Sequence, residues 1–181
     1  MILLCYDGST DAQAAIAHAA QLMPGTPATV LTIWEPFVDI MTRSGSMGIG
    51  IGWAGTYADD QKIDGASRQA ALQTADEGAH RATSAGLVAQ PRIASRDGAT
   101  AQSILAVADE VDADLVVLGT RGLGAVKSFL LGSVSHDVIQ HADRAVLVVP
   151  SGDLAEQRRD RAANAAVITL RTRHNRPVGQ T

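Results

Sequence analysis

Short apolar runs alternate along the chain with alanine-rich segments of helical periodicity, and this alternation limits the possible folds more than any other feature. Five runs have the length and composition of buried strands: Ile2–Tyr6, Thr29–Trp34, Leu87–Arg96, Leu115–Leu118 and Ala145–Val149. Strands that alternate with helices form parallel sheets, because each right-handed crossover carries a helix across one face of the sheet. The sequence therefore predicts an α/β fold, a five-stranded parallel doubly wound sheet in the order 3-2-1-4-5 with helices on both faces, plus a C-terminal extension.

The composition agrees with one packed domain. Of the 181 residues, 46% are hydrophobic but only 3% are aromatic, so the core is expected to consist of Ala, Val, Leu and Ile. The net charge of -4 gives no general attraction to nucleic acid or to an anionic membrane surface. No apolar run reaches the roughly 18–20 residues of a membrane span. We therefore expect neither nucleic acid nor membrane as a partner.

The cysteine content and the first residues bear on the compartment. A single cysteine, Cys5, excludes an internal disulfide and makes a Cys/His zinc cluster improbable. The apolar run Ile2–Tyr6 has no basic region before it and is followed at once by Asp7, so it is typical of a first strand and not of a signal peptide. These features predict a cytoplasmic protein.

The loop after the fourth predicted strand has the chemistry of an anion site. It reads Gly119-Thr120-Arg121-Gly122, then nine residues, then Gly132-Ser133. Glycines let the backbone approach a phosphate closely, and the helix that opens at Ser133 directs free N–H groups and a positive dipole end at the ligand. In a doubly wound sheet ligands bind where the winding reverses, here between the first and fourth strands, so Asp7 is expected beside this loop.

The spacing of these glycines resembles the nucleotide-binding signature of the ATP-binding branch of the universal stress protein family. The flanking segments are similar too: Tyr6-Asp7-Gly8-Ser9 closes the first strand, and Ser133–Ile139 and Val146–Pro150 follow the glycines. The resemblance covers residues 1–150, which are expected to form a universal stress protein-like nucleotide-binding domain. It omits the glycine-rich loop 39–56 and the extension 151–181.

The resemblance implies that ATP, alone or with Mg²⁺ or Mn²⁺, is the ligand of a regulatory, stress-response nucleotide sensor. It also implies which residues contact the nucleotide. Asp7 would bind the ribose or adenine side with Cys5 and Tyr6 lining the pocket, and Ile33 would offer backbone groups to adenine. Ribose and α-phosphate would be enclosed by Leu118, Gly119, Arg121 and Gly122. The outer phosphates would be held by Gly132, Ser133, Val134 and Ser135. Family members commonly dimerise through the last strand, here Ala145–Val149.

Catalysis is not predicted beyond slow ATP hydrolysis. No P-loop motif is present, and the signature places no histidine or glutamate to activate water, so no catalytic residue and no metal ligand is assigned. Two alternatives stay open. One is an ATP-independent dimeric stress or scaffold protein, in which the pocket is vestigial. The other is an adenylyl-transferring enzyme, although such sites generally carry a Ser-Gly-Gly-type loop where this chain has Asp7-Gly8-Ser9.

Two segments lie outside the resemblance. Residues 39–56 hold five glycines between Gly45 and Gly55, and we interpret this loop as a lid near the nucleotide. In the extension, 153–166 and 167–170 are expected to form a helix and a short strand. The extension carries six arginines against three acidic residues. This basic segment is either an arm that folds against an acidic surface or a solvated tail.

Overall fold

The computed structural model describes residues 1–36, 57–123, 131–156 and 159. In these ranges the chain forms five strands, four helices and a further helical segment at 152–156. In chain order the elements are β1 (Ile2–Cys5), α1 (Thr10–Leu22), β2 (Pro27–Trp34), α2 (Tyr57–Ser84), β3 (Val88–Ser95), α3 (Thr100–Glu110), β4 (Leu115–Gly119), α4 (Ser133–His141) and β5 (Ala145–Val149). The predicted loop 39–56 and the predicted strand 167–170 lie outside the described residues.

The five strands form one parallel sheet in the order β3-β2-β1-β4-β5, which confirms the predicted topology. Leu3 of β1 pairs with Thr29 on one side and with Val116 on the other. The winding reverses between β1 and β4, so the segments that leave the carboxyl ends of these two strands meet at one place.

Residues of β1 alternate between two apolar cores, one on each face of the sheet. Leu4 packs with α1 residues such as Ala15 and Ala19, whereas Leu3 packs with Ile104 of α3 and with Val138. Alanines on α1 let this helix approach the sheet closely, as the low aromatic content predicts.

Individual residues account for several local features of the helices and strands. Ser9 caps α1, since its side chain accepts a hydrogen bond from Ala12 N at 3.2 Å. Pro91 is tolerated in β3 because β3 is an edge strand of the described sheet. The helix expected at 153–166 starts one residue earlier, since residues 152–156 are helical, and Leu154 is buried. Most of its remainder lies outside the described residues.

Candidate functional site

A cavity of about 480 Å³ opens beyond the carboxyl ends of β1, β2 and β4. All twelve residues that the sequence predicts for ligand contact line it: Cys5, Tyr6, Asp7, Ile33, Leu118, Gly119, Arg121, Gly122, Gly132, Ser133, Val134 and Ser135. Four residues that were not predicted also line it: Leu31, Thr100, Ile104 and Leu123. The topology therefore brings together residues that are more than a hundred positions apart in the sequence.

Asp7 links the turn after β1 to the loop after β4 through two hydrogen bonds. Its Oδ1 accepts a hydrogen bond from Ser9 N at 3.0 Å, and its Oδ2 accepts one from Leu123 N at 3.2 Å. The backbone at Gly122 lies so close that an added Cβ atom would be 2.6 Å from Asp7 Oδ2. Gly122 is therefore required by close approach, and the carboxylate fixes the glycine loop against the turn after β1.

Cys5 and Tyr6 contribute to the cavity in different ways. Burial, with a smaller contribution from the Asp7 charge, raises the pKa of the partly buried Cys5 thiol to about 12, so it is a neutral wall group at neutral pH. The Tyr6 ring packs in the α1 side core, and its hydroxyl donates to Glu77 Oε1 at 3.0 Å. Burial, followed by this hydrogen bond, raises the pKa of Tyr6.

The amino-terminal turn of α4 holds two serines with different surroundings. Ser135 is buried, and its hydroxyl donates to Gly119 O at 2.8 Å and contacts Thr120 O at 3.3 Å. The Ser133 side chain is exposed and has no hydrogen-bond partner among the described residues. Ser135 therefore holds the glycine loop in place, whereas the Ser133 hydroxyl and the free N–H groups of the helix start remain available to an anion.

Arg121 is the one cation among the described lining residues, and its side chain is turned towards an acidic residue of α1. The Arg121 Nε lies 3.8 Å from Oδ2 of Asp11, whose side chain is 5% exposed. The Arg121 carbonyl accepts a hydrogen bond of 3.4 Å from the Ser9 hydroxyl. Sequence reasoning assigned Arg121 to the ribose and α-phosphate and did not foresee its contact with Asp11.

Three of the four additional lining residues, Leu31, Ile104 and Leu123, add to the apolar wall. Leu31 and Ile33 lie two positions apart on β2, and Thr100 and Ile104 lie four apart on α3, so each pair shares a face. Strand periodicity in the sequence therefore marks Leu31 as a partner of the predicted Ile33, whereas Thr100 and Ile104 share a helix face with no predicted residue. Leu123 lacks such a signal, because its place depends on the Asp7 hydrogen bond.

The fold and the cavity together define an α/β protein with a doubly wound parallel sheet and an open crevice at its switch point, which is where proteins of this architecture bind their ligands. The family model described as "Universal stress protein family" matches residues 1–150. The chain belongs to this family. A universal stress protein of Thermus aquaticus, from the 3' region of a QAH/OAS sulfhydrylase gene, is 35% identical over 152 residues, which cover 82% of this chain and 96% of the relative.

Two solved universal stress proteins resemble the structure and were crystallised with nucleotides. The first, in complex with cAMP, is 26% identical with a TM-score of 0.55, and the match covers 83% of this chain and 97% of that one. The second, from Archaeoglobus fulgidus in complex with dAMP, is 24% identical with a TM-score of 0.52, and the match covers 82% and 95% of the two chains. The fold is therefore shared with proteins that bind adenine nucleotides.

Two structural features are absent from the described residues. None of their helices is both long and apolar enough to cross a membrane. Their His, Cys, Asp and Glu side chains include no group of three or more arranged to hold a metal ion.

Proposed function

We propose that the protein binds ATP in this cavity and acts as a regulatory nucleotide sensor in the stress response, with at most slow ATP hydrolysis. The observation that carries the proposal is the cradle between Asp7 and Gly122, where a Cβ atom would lie 2.6 Å from the carboxylate. Because Gly122 has no side chain of its own, sugar and phosphate oxygens can approach the backbone N–H groups of the loop beside this carboxylate. The cAMP and dAMP complexes of two relatives support an adenine nucleotide as the ligand class.

The lining of the cavity suggests how the nucleotide lies. Phosphates suit the amino-terminal turn of α4, where Ser133 has an uncommitted hydroxyl and the helix dipole favours negative charge. The base suits the apolar wall formed by Ile33, Ile104 and Leu118. Asp7 and Gly122 lie on the ribose side in this orientation. Mg²⁺ or Mn²⁺ would enter with the phosphates, which are the natural ligands of such ions.

The acidic and basic side chains among the described lining residues support at most weak catalysis. Asp7 is the only acidic residue among these lining residues, and each of its two oxygens already accepts a backbone hydrogen bond. No histidine or glutamate lines this part of the cavity. A general base for water activation must lie within hydrogen-bond reach of that water, and no described lining residue offers a free one.

The test is the nucleotide content of the purified protein. Bound nucleotide is released by denaturation and identified by chromatography for the wild type, for Gly122→Asp and for Gly65→Asp. Gly122→Asp places a second carboxylate against Asp7 and should abolish ATP binding. Gly65→Asp is the matched control, since Gly65 lies on α2 with open space around it. A wild type that carries no nucleotide and ignores added ATP would overturn the proposal and favour an ATP-independent scaffold.

We also propose a homodimer formed through β5. This strand, Ala145–Val149, is an edge of the described sheet and consists only of apolar residues. An apolar edge strand exposes backbone groups and side chains that a second copy of the chain would cover. Sedimentation velocity tests this, with Val146→Lys as the disrupting variant. A wild type that sediments as a monomer at micromolar concentrations contradicts the proposal.

The remaining proposals concern organisation and location. Residues 1–150 would form the nucleotide-binding domain and residues 151–181 a basic extension, in agreement with the range that the family model matches. A cytoplasmic location is supported by the single cysteine, Cys5, which remains a free thiol. Fractionation of the cells that make the protein tests this location.

A further inference from the structure

Asp11 is a buried carboxylate behind the glycine loop, and nothing in the proposed nucleotide contacts explains it. It lies in the first turn of α1, and its side chain is only 5% exposed. Its Oδ2 has no hydrogen-bond partner among the described atoms. A buried charge without a close partner is unfavourable, so a structure that keeps one generally has a use for it.

The nearest positive charge to Asp11 Oδ2 among the described residues is the Arg121 guanidinium, whose Nε lies 3.8 Å away. This distance permits an ion pair but is too long for a hydrogen bond. The two residues are held together by the backbone, because a Cβ atom at Gly119 would lie 2.7 Å from the carbonyl carbon of Asp11. The contact between Asp11 and Arg121 is thus built into the junction of α1 and the glycine loop.

Arg121 also lines the cavity, so Asp11 and a bound phosphate would compete for the same guanidinium. A ligand that draws Arg121 towards itself leaves the Asp11 carboxylate buried without its partner. In addition, the two carboxylates Asp7 and Asp11 outnumber this single described cation around the cavity. Both effects oppose anionic ligands, and they grow with the number of negative charges that the ligand carries.

We infer that Asp11 sets the charge selectivity of the cavity: by holding the Arg121 guanidinium, it lowers the affinity for nucleoside triphosphates relative to monophosphates. Asp11 is in this role a positioning residue that acts through Arg121 without touching the nucleotide. The inference rests on the proposed function and deepens it, because it identifies what decides between ATP and AMP at the same site.

The experiment measures dissociation constants for adenosine, AMP and ATP by calorimetry, with EDTA present so that the ligands keep their full charge. In Asp11→Asn we expect the dissociation constant of ATP to fall about 5–10-fold, that of AMP about 2–3-fold and that of adenosine not at all. Asp76→Asn is the matched control: it removes the same charge from an exposed position on α2 and should change none of the three.

A second variant tests the pair from its other member and does not depend on the folding of Asp11→Asn. Arg121→Gln should weaken ATP binding more than AMP binding and leave adenosine unchanged. In the Arg121→Gln background, Asp11→Asn should increase the ATP affinity by less than half of the free energy that it gains in the wild-type background, since no guanidinium is left to release.

Each outcome has one meaning. An increase in the affinity of Asp11→Asn that grows from adenosine to AMP to ATP supports the inference. An equal change for all three ligands would show that Asp11 only supports the loop, and weaker ATP binding in Asp11→Asn would show that it presents Arg121 to the phosphates; either result overturns the inference and leaves the proposed function intact. A wild type that binds none of the three ligands overturns the proposed function itself.

Discussion

The aromatic ring of Tyr6 lies against the backbone of Gly78, so closely that a Cβ atom added at Gly78 would be 2.6 Å from Tyr6 Cδ1 and 2.8 Å from Val30 Cγ1. Gly78 lies inside the long helix α2, where glycine is otherwise unfavourable. The contact packs α2 against Tyr6, which directly follows β1, and brings Glu77 to the Tyr6 hydroxyl. A glycine within a helix therefore supports the strand end that carries Asp7.

Gly78→Ala should destabilise the protein. The added methyl group has to displace the Tyr6 ring, and contacts of 2.6–2.8 Å place the cost in the upper part of the usual overpacking range of about 1–3 kcal/mol, above the roughly 1 kcal/mol that alanine gains over glycine in a helix. Gly65→Ala on the same helix is the matched control, because nothing lies within 4 Å of a Cβ atom there. Urea denaturation should show opposite signs for the two variants, and equal effects on the free energy of unfolding would contradict this account.

Substitutions of the two serines of α4 should have different effects: one on stability and the other on ATP binding. Ser135→Ala removes a buried donor from Gly119 O and should lower the free energy of unfolding by about 1–2 kcal/mol. Ser133→Ala removes an exposed hydroxyl without a described partner, so stability should change by less than about 0.5 kcal/mol while ATP binding weakens several-fold. Thermal unfolding and calorimetry on both variants check this. A Ser133→Ala variant with unchanged affinity would remove this hydroxyl from the phosphate site.

The topology and the gathering of site residues follow from the sequence because they depend on short-range patterns. The apolar runs predict the strands, and the rule for doubly wound sheets then places Asp7 beside Gly122. Strand bounds shift by one or two residues where pairing extends a strand, as at Pro27, which pairs with Val88. Such shifts depend on the neighbouring strand and leave the site unchanged.

Other features depend on long-range packing and carry no local signal. Gly78 is an unremarkable helix residue until the Tyr6 ring is known to lie beneath it. Asp11 has the pattern of an ordinary acidic residue in a first helical turn, and only the structure brings it near Arg121. Thr100 enters the cavity wall because α3 begins beyond the carboxyl end of β3. The sequence predicts which segments meet, but not which side chains touch.

Cys5 should make stability depend on pH in the alkaline range. Its folded-state pKa is raised from 9.0 to about 12, mainly by burial, so the folded state disfavours the thiolate. The stabilisation that the neutral Cys5 thiol contributes to the folded state is fully present below the pKa of the thiol in the unfolded chain. It is lost as pH rises from about 9 towards 12. Between pH 8 and pH 10.5 the wild type should lose up to about 2 kcal/mol more than Cys5→Ser. Denaturation at both pH values measures this difference, and parallel losses in the two proteins would contradict it.

The first turn beyond Pro150 should contribute to stability independently of the basic extension. Leu154 is 8% exposed, and Ala155 N donates to Ser151 O at 2.9 Å, so this turn packs on the domain. All six arginines of the extension lie after Glu156. Truncation after Pro150 removes both the packed turn and the arginines, whereas truncation after Glu156 removes only the latter.

We expect truncation after Pro150 to lower the free energy of unfolding by about 1–3 kcal/mol, the usual effect of losing one buried leucine side chain, and truncation after Glu156 to leave it unchanged. Leu154→Ala in the full chain should reproduce most of the loss. Chemical denaturation of the three variants measures these effects. If truncation after Glu156 is as destabilising as truncation after Pro150, the arginine-rich segment itself contacts the domain, and the solvated-tail interpretation is wrong.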